Sequence, residues 1–374
     1  MNPQLYRSAV AEINLNQLKQ NFHAIRLKVS PARMMPMVKA NAYGHGLVAI
    51  ARHMAACGAD MMGVAILDEG IVLRNAGITL PILVVGGVLP EQITAYLDYN
   101  LTLTIPSLEV LLAVEAAGKA RQQTIGVHIK IDTGMGRLGV PYQEAESVLA
   151  ASLECQYVQV DGIYSHLANS DGTDLAHARL QIQRFNNICS FYEKRGLPVP
   201  LRHIANSGAI LQLPESHLDM VRPGILLYGY YPAPDIKPTV KVKPVLSWKA
   251  QVSQSKIQPA FHPVSYGSSW QNDHPVRILT IPVGYGDGYF RSLSNRGQVI
   301  LHGKRYPIVG RVCMDQFMVN VEDEEAALGE EVILIGEAGG ISLTADDLAE
   351  WVGTISYEVL TNISARVPRI YTGA

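Results

Sequence analysis

Along residues 14–29 the apolar positions Leu15, Leu18, Phe22, Ile25 and Val29 recur at steps of three and four, which lays them on one face of a helix. Short, near-continuous apolar runs follow at residues 34–38, 61–67, 81–85, 101–105, 125–131, 158–163, 201–204 and 220–227. Between most of them lie segments of helical composition, at residues 47–57, 69–76, 91–98, 108–119, 143–151 and 174–195. Strands that are apolar throughout, not only at alternate positions, are covered on both faces, as in a parallel sheet clad by helices. Eight such units in succession predict an α/β fold of the (β/α)8 TIM-like barrel type.

The rhythm breaks at Tyr230-Tyr-Pro-Ala-Pro-Asp-Ile-Lys-Pro238, where three prolines interrupt the alternation. Beyond it, strand-like runs at residues 246–252, 276–282, 299–301, 317–321 and 331–335 are separated by Gly, Pro and Asp turns. The long helical candidate of this part, residues 344–352, comes late. The pattern predicts a barrel over residues 1–234 and a mostly β domain over residues 235–374, and a chain of 374 residues is long enough for both.

Composition narrows the chemistry. With 48% hydrophobic and 17% charged residues the chain reads as a compact enzyme-like globule. A net charge of -2 without a Lys/Arg run recommends neither nucleic acid nor a membrane surface as partner, which leaves a small-molecule substrate. Cys57, Cys155, Cys189 and Cys313 are far apart and form no CxxC, so neither a disulfide framework nor a metal site is expected, and a reducing cytoplasm fits. The N-terminus lacks a basic region followed by an apolar core, and no apolar stretch reaches a membrane-spanning length. The formal glycosylation triplet Asn362-Ile-Ser364 then carries no meaning.

In a (β/α)8 barrel the functional side chains sit at the C-terminal strand ends, and here five of the eight are chemically loaded. The first ends in Lys39, the fifth in Lys130-Ile-Asp-Thr-Gly-Met-Gly-Arg137, the sixth in His166, the seventh in Asn206-Ser207-Gly208, and the eighth carries Arg222-Pro-Gly224. A lysine closing a buried strand is pulled toward its neutral amine by desolvation, and a neutral amine condenses with an aldehyde. Asn41, Tyr43, Gly44 and Gly46, which follow Lys39, offer an amide, a hydroxyl and approachable backbone N–H groups of the kind an anionic cofactor needs. Val283-Gly-Tyr-Gly-Asp-Gly-Tyr289 has the wrong spacing for a nucleotide loop, and no βαβ unit follows it.

As a whole string, Val38-Lys-Ala-Asn-Ala-Tyr-Gly-His-Gly46 resembles the cofactor-lysine motif of the alanine racemase family, and later motifs keep the family's order from residue 36 to about 369. The resemblance implies pyridoxal 5′-phosphate held as a Schiff base on Lys39. It implies a phosphate cradle from Tyr43, Asn206, Ser207, Gly224 and Ile225, with Arg222 facing the pyridine nitrogen and His166 orienting Arg222. A guanidinium only donates, so it keeps that nitrogen unprotonated and the ring a weaker electron sink, which suits simple proton exchange. Lys39 and Tyr266, in Val264-Ser-Tyr-Gly-Ser-Ser269, become the two catalytic bases, with Tyr266 reaching the other subunit's site in a homodimer. Arg137 and Met314 match substrate-binding positions, Lys130 a lysine carbamylated in some relatives, and Tyr285 and Tyr357 the entrance and pocket, where Tyr357 also lies on the cofactor side. In the family the first dozen residues join the β domain, and residues 6–13 supply a strand for it. Gly286, where the family has alanine more often, and Gly267-Ser-Ser-Trp270 depart from the pattern and leave the pocket width open.

The implied function is interconversion of L- and D-alanine by a two-base mechanism, supplying D-alanine for peptidoglycan in the cytoplasm. Two alternatives stand beside it: a racemase of another small amino acid such as serine, and a non-catalytic pyridoxal-phosphate carrier. The carriers lack a second domain. Decarboxylases of this architecture place an acid opposite the pyridine nitrogen, where this chain has Arg222.

Overall fold

A computed structural model of the chain describes residues 6–373. They form two units, one of residues 18–42 and 47–243, the other of residues 6–17, 43–46 and 244–373.

In the first unit the apolar runs become eight strands: Arg33–Met34, Met62–Val64, Ile82–Val84, Leu103–Ile105, Ile125–Asp132, Val158–Tyr164, Leu201–His203 and Met220–Val221. Neighbours in sequence pair in parallel, by ladders in most cases and by single bridges of Met37 with Gly63 and of Leu83 with Thr102 where the strands are short. Backbone bonds from Asp219 N to Arg202 O and from Arg222 N to Ala205 O join the seventh strand to the eighth. The eighth pairs with the first, Met220 with Arg33 and Val221 with Met34. The ring is thereby closed and presents no unpaired edge. Helices Leu47–Ala56, Leu67–Asn75, Ile93–Asp98, Leu108–Arg121, Ala145–Glu154, Ala176–Glu193 and Ser207–Gln212 alternate with the strands, which is why Met62–Val64, Ile82–Val84 and Leu103–Ile105 are buried at every position. The eighth strand is shorter than its apolar run. Pro223 has no N–H to continue a ladder, and the residues after Gly224 fold into turns closed by Leu227 N to Gly224 O and Tyr228 N to Ile225 O.

The second unit is built on a ten-stranded sheet. Its order is Gln254–Gln258, Val276–Ile281, Phe317–Asn320, Lys304–Val309, Gln298–Leu301, Glu331–Ala338, Leu246–Gln251, Ala9–Asn14 and Arg369–Thr372, with Ile341–Leu343 paired to Glu331–Ala338. All pairs are antiparallel except Ala9–Asn14 with Arg369–Thr372. Ala9–Asn14 alternates between buried and half-exposed positions, as a strand with one covered face does. Tyr289 stacks on Phe317 and meets Trp248 edge-on in the core. Helix Ala345–Val352 starts where Thr344 accepts the Asp347 N–H and Asp347 reaches back to Thr344 N, a capping box.

Residues 43–46 belong to this unit through the Arg369 Nε–H bond to Gly44 O (2.9 Å) and the Tyr371 hydroxyl bond to His45 O (3.2 Å). Gly44 has φ +82°, and a Cβ there would overlap the Leu360 carbonyl. Gly44→Ala is therefore expected to cost roughly 2–4 kcal/mol, read as a shifted midpoint in chemical denaturation.

Among the described residues no helix is long and apolar enough to cross a membrane, and no group of three or more His, Cys, Asp or Glu is placed to hold a metal ion.

Candidate active site

After Val38, whose N–H donates to Gly63 O, the chain leaves the first barrel strand in an unusual way. Ala40, Asn41, Ala42 and Tyr43 have φ of 52°, 54°, 53° and 52°, so four L-residues without a glycine wind in the left-handed sense. Each such residue costs roughly 1–2 kcal/mol, and strain of this kind collects at functional sites. Bonds from Ala42 N to Val38 O (2.8 Å), Leu47 N to Asn41 Oδ1 (2.8 Å) and Ala40 N to Glu69 Oε1 (2.6 Å) hold the turn. Lys39 at its head is largely buried. Desolvation lowers its proton affinity first, Arg137 and Arg222 lower it further, and Glu69 alone among the charges acting on it opposes them.

Lys130 and Arg137 belong to the fifth strand and its loop. Asp132 shapes that loop by accepting N–H bonds from Gly134, Met135 and Gly136 at 2.9, 2.9 and 3.2 Å. Burial alone would raise the Asp132 carboxyl, yet these donors hold it below its usual value. Lys130 is buried with its ammonium over the Tyr164 ring (5.2 Å), and desolvation followed by Arg222 and Arg137 pulls it down to about 7.

Arg222 is buried and bonded on both terminal nitrogens. Nη2 donates to Ser165 O (2.7 Å), Ile204 O (3.1 Å) and His166 Nδ1 (3.1 Å), and Nη1 donates to His203 Nδ1 (2.9 Å). Nε makes none of these bonds. Because guanidinium only donates, His203 must accept at Nδ1 and carry its proton on Nε2, which lies 2.9 Å from His128 Nδ1. The tautomers of His203 and His128 are therefore fixed by Arg222. Burial, then the Arg222 charge, keeps all three imidazoles neutral: His128 falls to about 4, and His166 and His203 lie well below their usual range. Tyr164 stacks flat on His203 at 4.7 Å, and Gly162 leaves the space for His128, since a Cβ there would lie 2.6 Å from its ring. Burial also lowers Arg222 itself, to about 10.

The Ser207 hydroxyl accepts from Gly224 N (3.0 Å) and Leu226 N (3.4 Å), which draws Asn206-Ser207-Gly208 to the turn holding buried Gly224 and Ile225. Asn206 Oδ1 accepts from Ala209 N and from the Ser170 hydroxyl. The barrel unit thus brings Lys39, Lys130, Arg137, His166 and Arg222 within electrostatic reach of one another, and Ser207 together with Gly224.

The remaining expected residues belong to the β unit. Tyr43 is buried and lies 6.1 Å, ring to ring, from Tyr357. Tyr266 is 70% exposed in a turn where Ser265, Gly267 and Ser268 all have positive φ. The Ser265 hydroxyl ties this turn to Arg311 O (2.7 Å), and Tyr285 N and Gly286 N donate to Cys313 O and Met314 O. Tyr285 and Met314 are therefore neighbours, and both are exposed.

Sequence reasoning missed His128, His203, Tyr164 and Glu69. The first two had a signal, a polar side chain inside an apolar strand: His128 shares strand alternation with Lys130, and His203 closes the seventh strand. The link from Glu69 to the Lys39 turn had none, because Ala40 lies 29 residues away.

Residues 13–232 match the family model of the alanine racemase N-terminal domain, and residues 245–371 that of the alanine racemase C-terminal domain. The chain is 47% identical over 367 residues to an alanine racemase of Carboxydothermus hydrogenoformans, covering 98% of this chain and 100% of that one. Its structure is similar to that of an alanine racemase of Clostridium difficile 630, with a TM-score of 0.94 at 33% identity over 99% and 97% of the two chains. It also resembles an alanine racemase of Bartonella henselae with covalently bound pyridoxal phosphate, with a TM-score of 0.89 at 29% identity over 98% and 99% of the chains.

Proposed function

The chain belongs to the alanine racemase family, and from that premise we infer that it is an isomerase interconverting L- and D-alanine, with pyridoxal 5′-phosphate held by its barrel unit. The observation that carries the reading is the grouping of Lys39, Lys130, Arg137, His166 and Arg222, in which the two guanidinium charges lower the proton affinity of Lys39, Lys130 and His166. Such a grouping is unfavourable until anions enter it, and a cofactor phosphate and phenolate with a substrate carboxylate are anions of the right kind. The donor set fits: the Ser207 hydroxyl with the Gly224 and Ile225 backbone, Asn206 and Tyr43 suit the phosphate, and the Lys39 amine suits the aldehyde. When bound, the cofactor supplies the electron sink that stabilises negative charge at the substrate α-carbon.

The chain's own side chains do the rest. Lys39, drawn toward its neutral form, takes or returns the α-proton on one face. Tyr266 of a second copy serves the other face, which makes the working unit a homodimer. Arg222, locked on the Ser165 and Ile204 carbonyls, would hold the pyridine-nitrogen side of the bound cofactor with a donor, which would keep that nitrogen unprotonated. His166, held neutral beside it, accepts from Arg222 and does not compete for that proton. Arg137 addresses the carboxylate, Met314 adds a backbone donor, and Tyr285 and Tyr357 narrow the pocket to a small side chain. Lys130, brought to about 7, is a free amine over much of the neutral range. In that form it adds carbon dioxide, forming an N–C bond and releasing one proton, and the resulting carbamate is an anion for Arg137. We place the reaction in the cytoplasm, as a source of D-alanine for peptidoglycan.

The test is a visible spectrum of the purified protein followed by polarimetry with a panel of L-amino acids. A yellow protein that takes L-alanine to zero rotation, faster than L-serine, is the expected result. A yellow protein that leaves L-alanine unchanged overturns the reading in favour of a carrier.

A further inference from the structure

Among the bonds that hold the left-handed turn after Lys39, the one to the Ala40 amide comes from a helix beyond the second barrel strand. Its acceptor, Glu69, stands in the first turn of helix Leu67–Asn75. One carboxylate oxygen, Oε1, accepts from Ala40 N at 2.6 Å. The other, Oε2, accepts from Ala65 N at 2.9 Å and Ile66 N at 3.4 Å, at the end of the second barrel strand. A single side chain therefore pins the exit of the first strand to the exit of the second. Carboxylate suits this, because both its oxygens accept, whereas a carboxamide has one acceptor oxygen.

We propose that Glu69 is the positioning residue for Lys39, fixing through the Ala40 amide the left-handed turn from which the amine projects; what the amine does there rests on the function proposed above. Glu69 touches neither substrate nor cofactor in this role. It also supplies a negative charge that offsets Arg137 and Arg222 at the amine, so its loss removes that opposition to the two cations and to burial. The direction follows: without Glu69 the ammonium is disfavoured further, and the neutral amine persists to lower pH.

Glu69→Ala and Glu69→Gln in the full-length protein test this. Deuterium uptake by the peptide spanning residues 39–43, followed by mass spectrometry on the cofactor-loaded enzyme, is expected to rise roughly tenfold in Glu69→Ala. In Glu69→Gln, whose one carbonyl serves either Ala40 or Ala65, the rise is smaller. The rate at which added pyridoxal phosphate attaches covalently to Lys39 in cofactor-depleted enzyme, read by absorbance, should reach half-maximum at lower pH in both variants. A residue that merely capped helix Leu67–Asn75 would raise uptake in that helix, leaving uptake at residues 39–43 and the pH midpoint unchanged. That outcome overturns the proposal. Should Glu69→Ala not fold, Glu69→Gln carries both measurements. Failure of the wild-type enzyme to racemise alanine would strike the proposed function and leave the uptake result standing.

Discussion

Lys39→Ala is expected to abolish covalent cofactor attachment and to lower racemisation by at least ~10⁴-fold in both directions. Two losses coincide at one side chain. The first is the amine whose proton affinity burial, Arg137 and Arg222 lower; the second is the proton acceptor and donor for one face of the substrate. Because Lys39 heads the turn after the first barrel strand and is not among the buried core residues, the fold should survive, and circular dichroism should be indistinguishable from that of the parent. Visible absorbance and polarimetry with L-alanine are the measurements. A variant that keeps both the absorption of the attached cofactor and its turnover would falsify the assignment of Lys39.

Tyr266→Phe separates the two faces. The side chain is exposed, so removing its hydroxyl should change stability by no more than about 0.5 kcal/mol, and the cofactor should remain bound. Racemisation should nevertheless slow by roughly 10²–10⁴ in each direction, since each direction needs one group to take the proton and another to return it. The sharper measurement is wash-in of solvent deuterium before steady state. Lys39 should still exchange the α-hydrogen of one enantiomer, so the two enantiomers should differ. Equal exchange from both would show that Tyr266 is not tied to one face.

Much of the architecture was legible because it rests on local pattern. Continuous apolar runs marked barrel strands, and five loaded strand ends pointed to the residues that the barrel unit gathers. What escaped was either polar or remote. Strand Gln254–Gln258 is largely polar and half-exposed or exposed, so it gave no hydrophobic signal, and strand Lys304–Val309 is interrupted by Pro307. Helix Ser356–Asn362, with only Val359 and Leu360 as buried apolar positions, was too short for periodicity to show. In the site, the family resemblance implied that His166 orients Arg222; the two are bonded at 3.1 Å, and Arg222 is bonded as well to His203 and two carbonyls. Backbone carbonyls carry no sequence signal, so half of what holds Arg222 could not be read from residue types.

The turn after Lys39 has a consequence in handedness. Ala40 and Ala42 lie in the backbone region that is the mirror image of an L-residue's own, the region a D-alanine enters without penalty. Of the residues in Lys-Ala-Asn-Ala-Tyr only Asn41 tolerates that hand readily, and its amide oxygen accepts from Leu47 N, so at the two alanines the hand is held by contacts such as the Glu69 bond to Ala40 N. Glycine at position 40 or 42 would remove the penalty and, with it, the preference for one direction of the lysine. An enzyme assigned to inverting alanine thus aims its own amine by keeping two alanines in the wrong-handed region of backbone space.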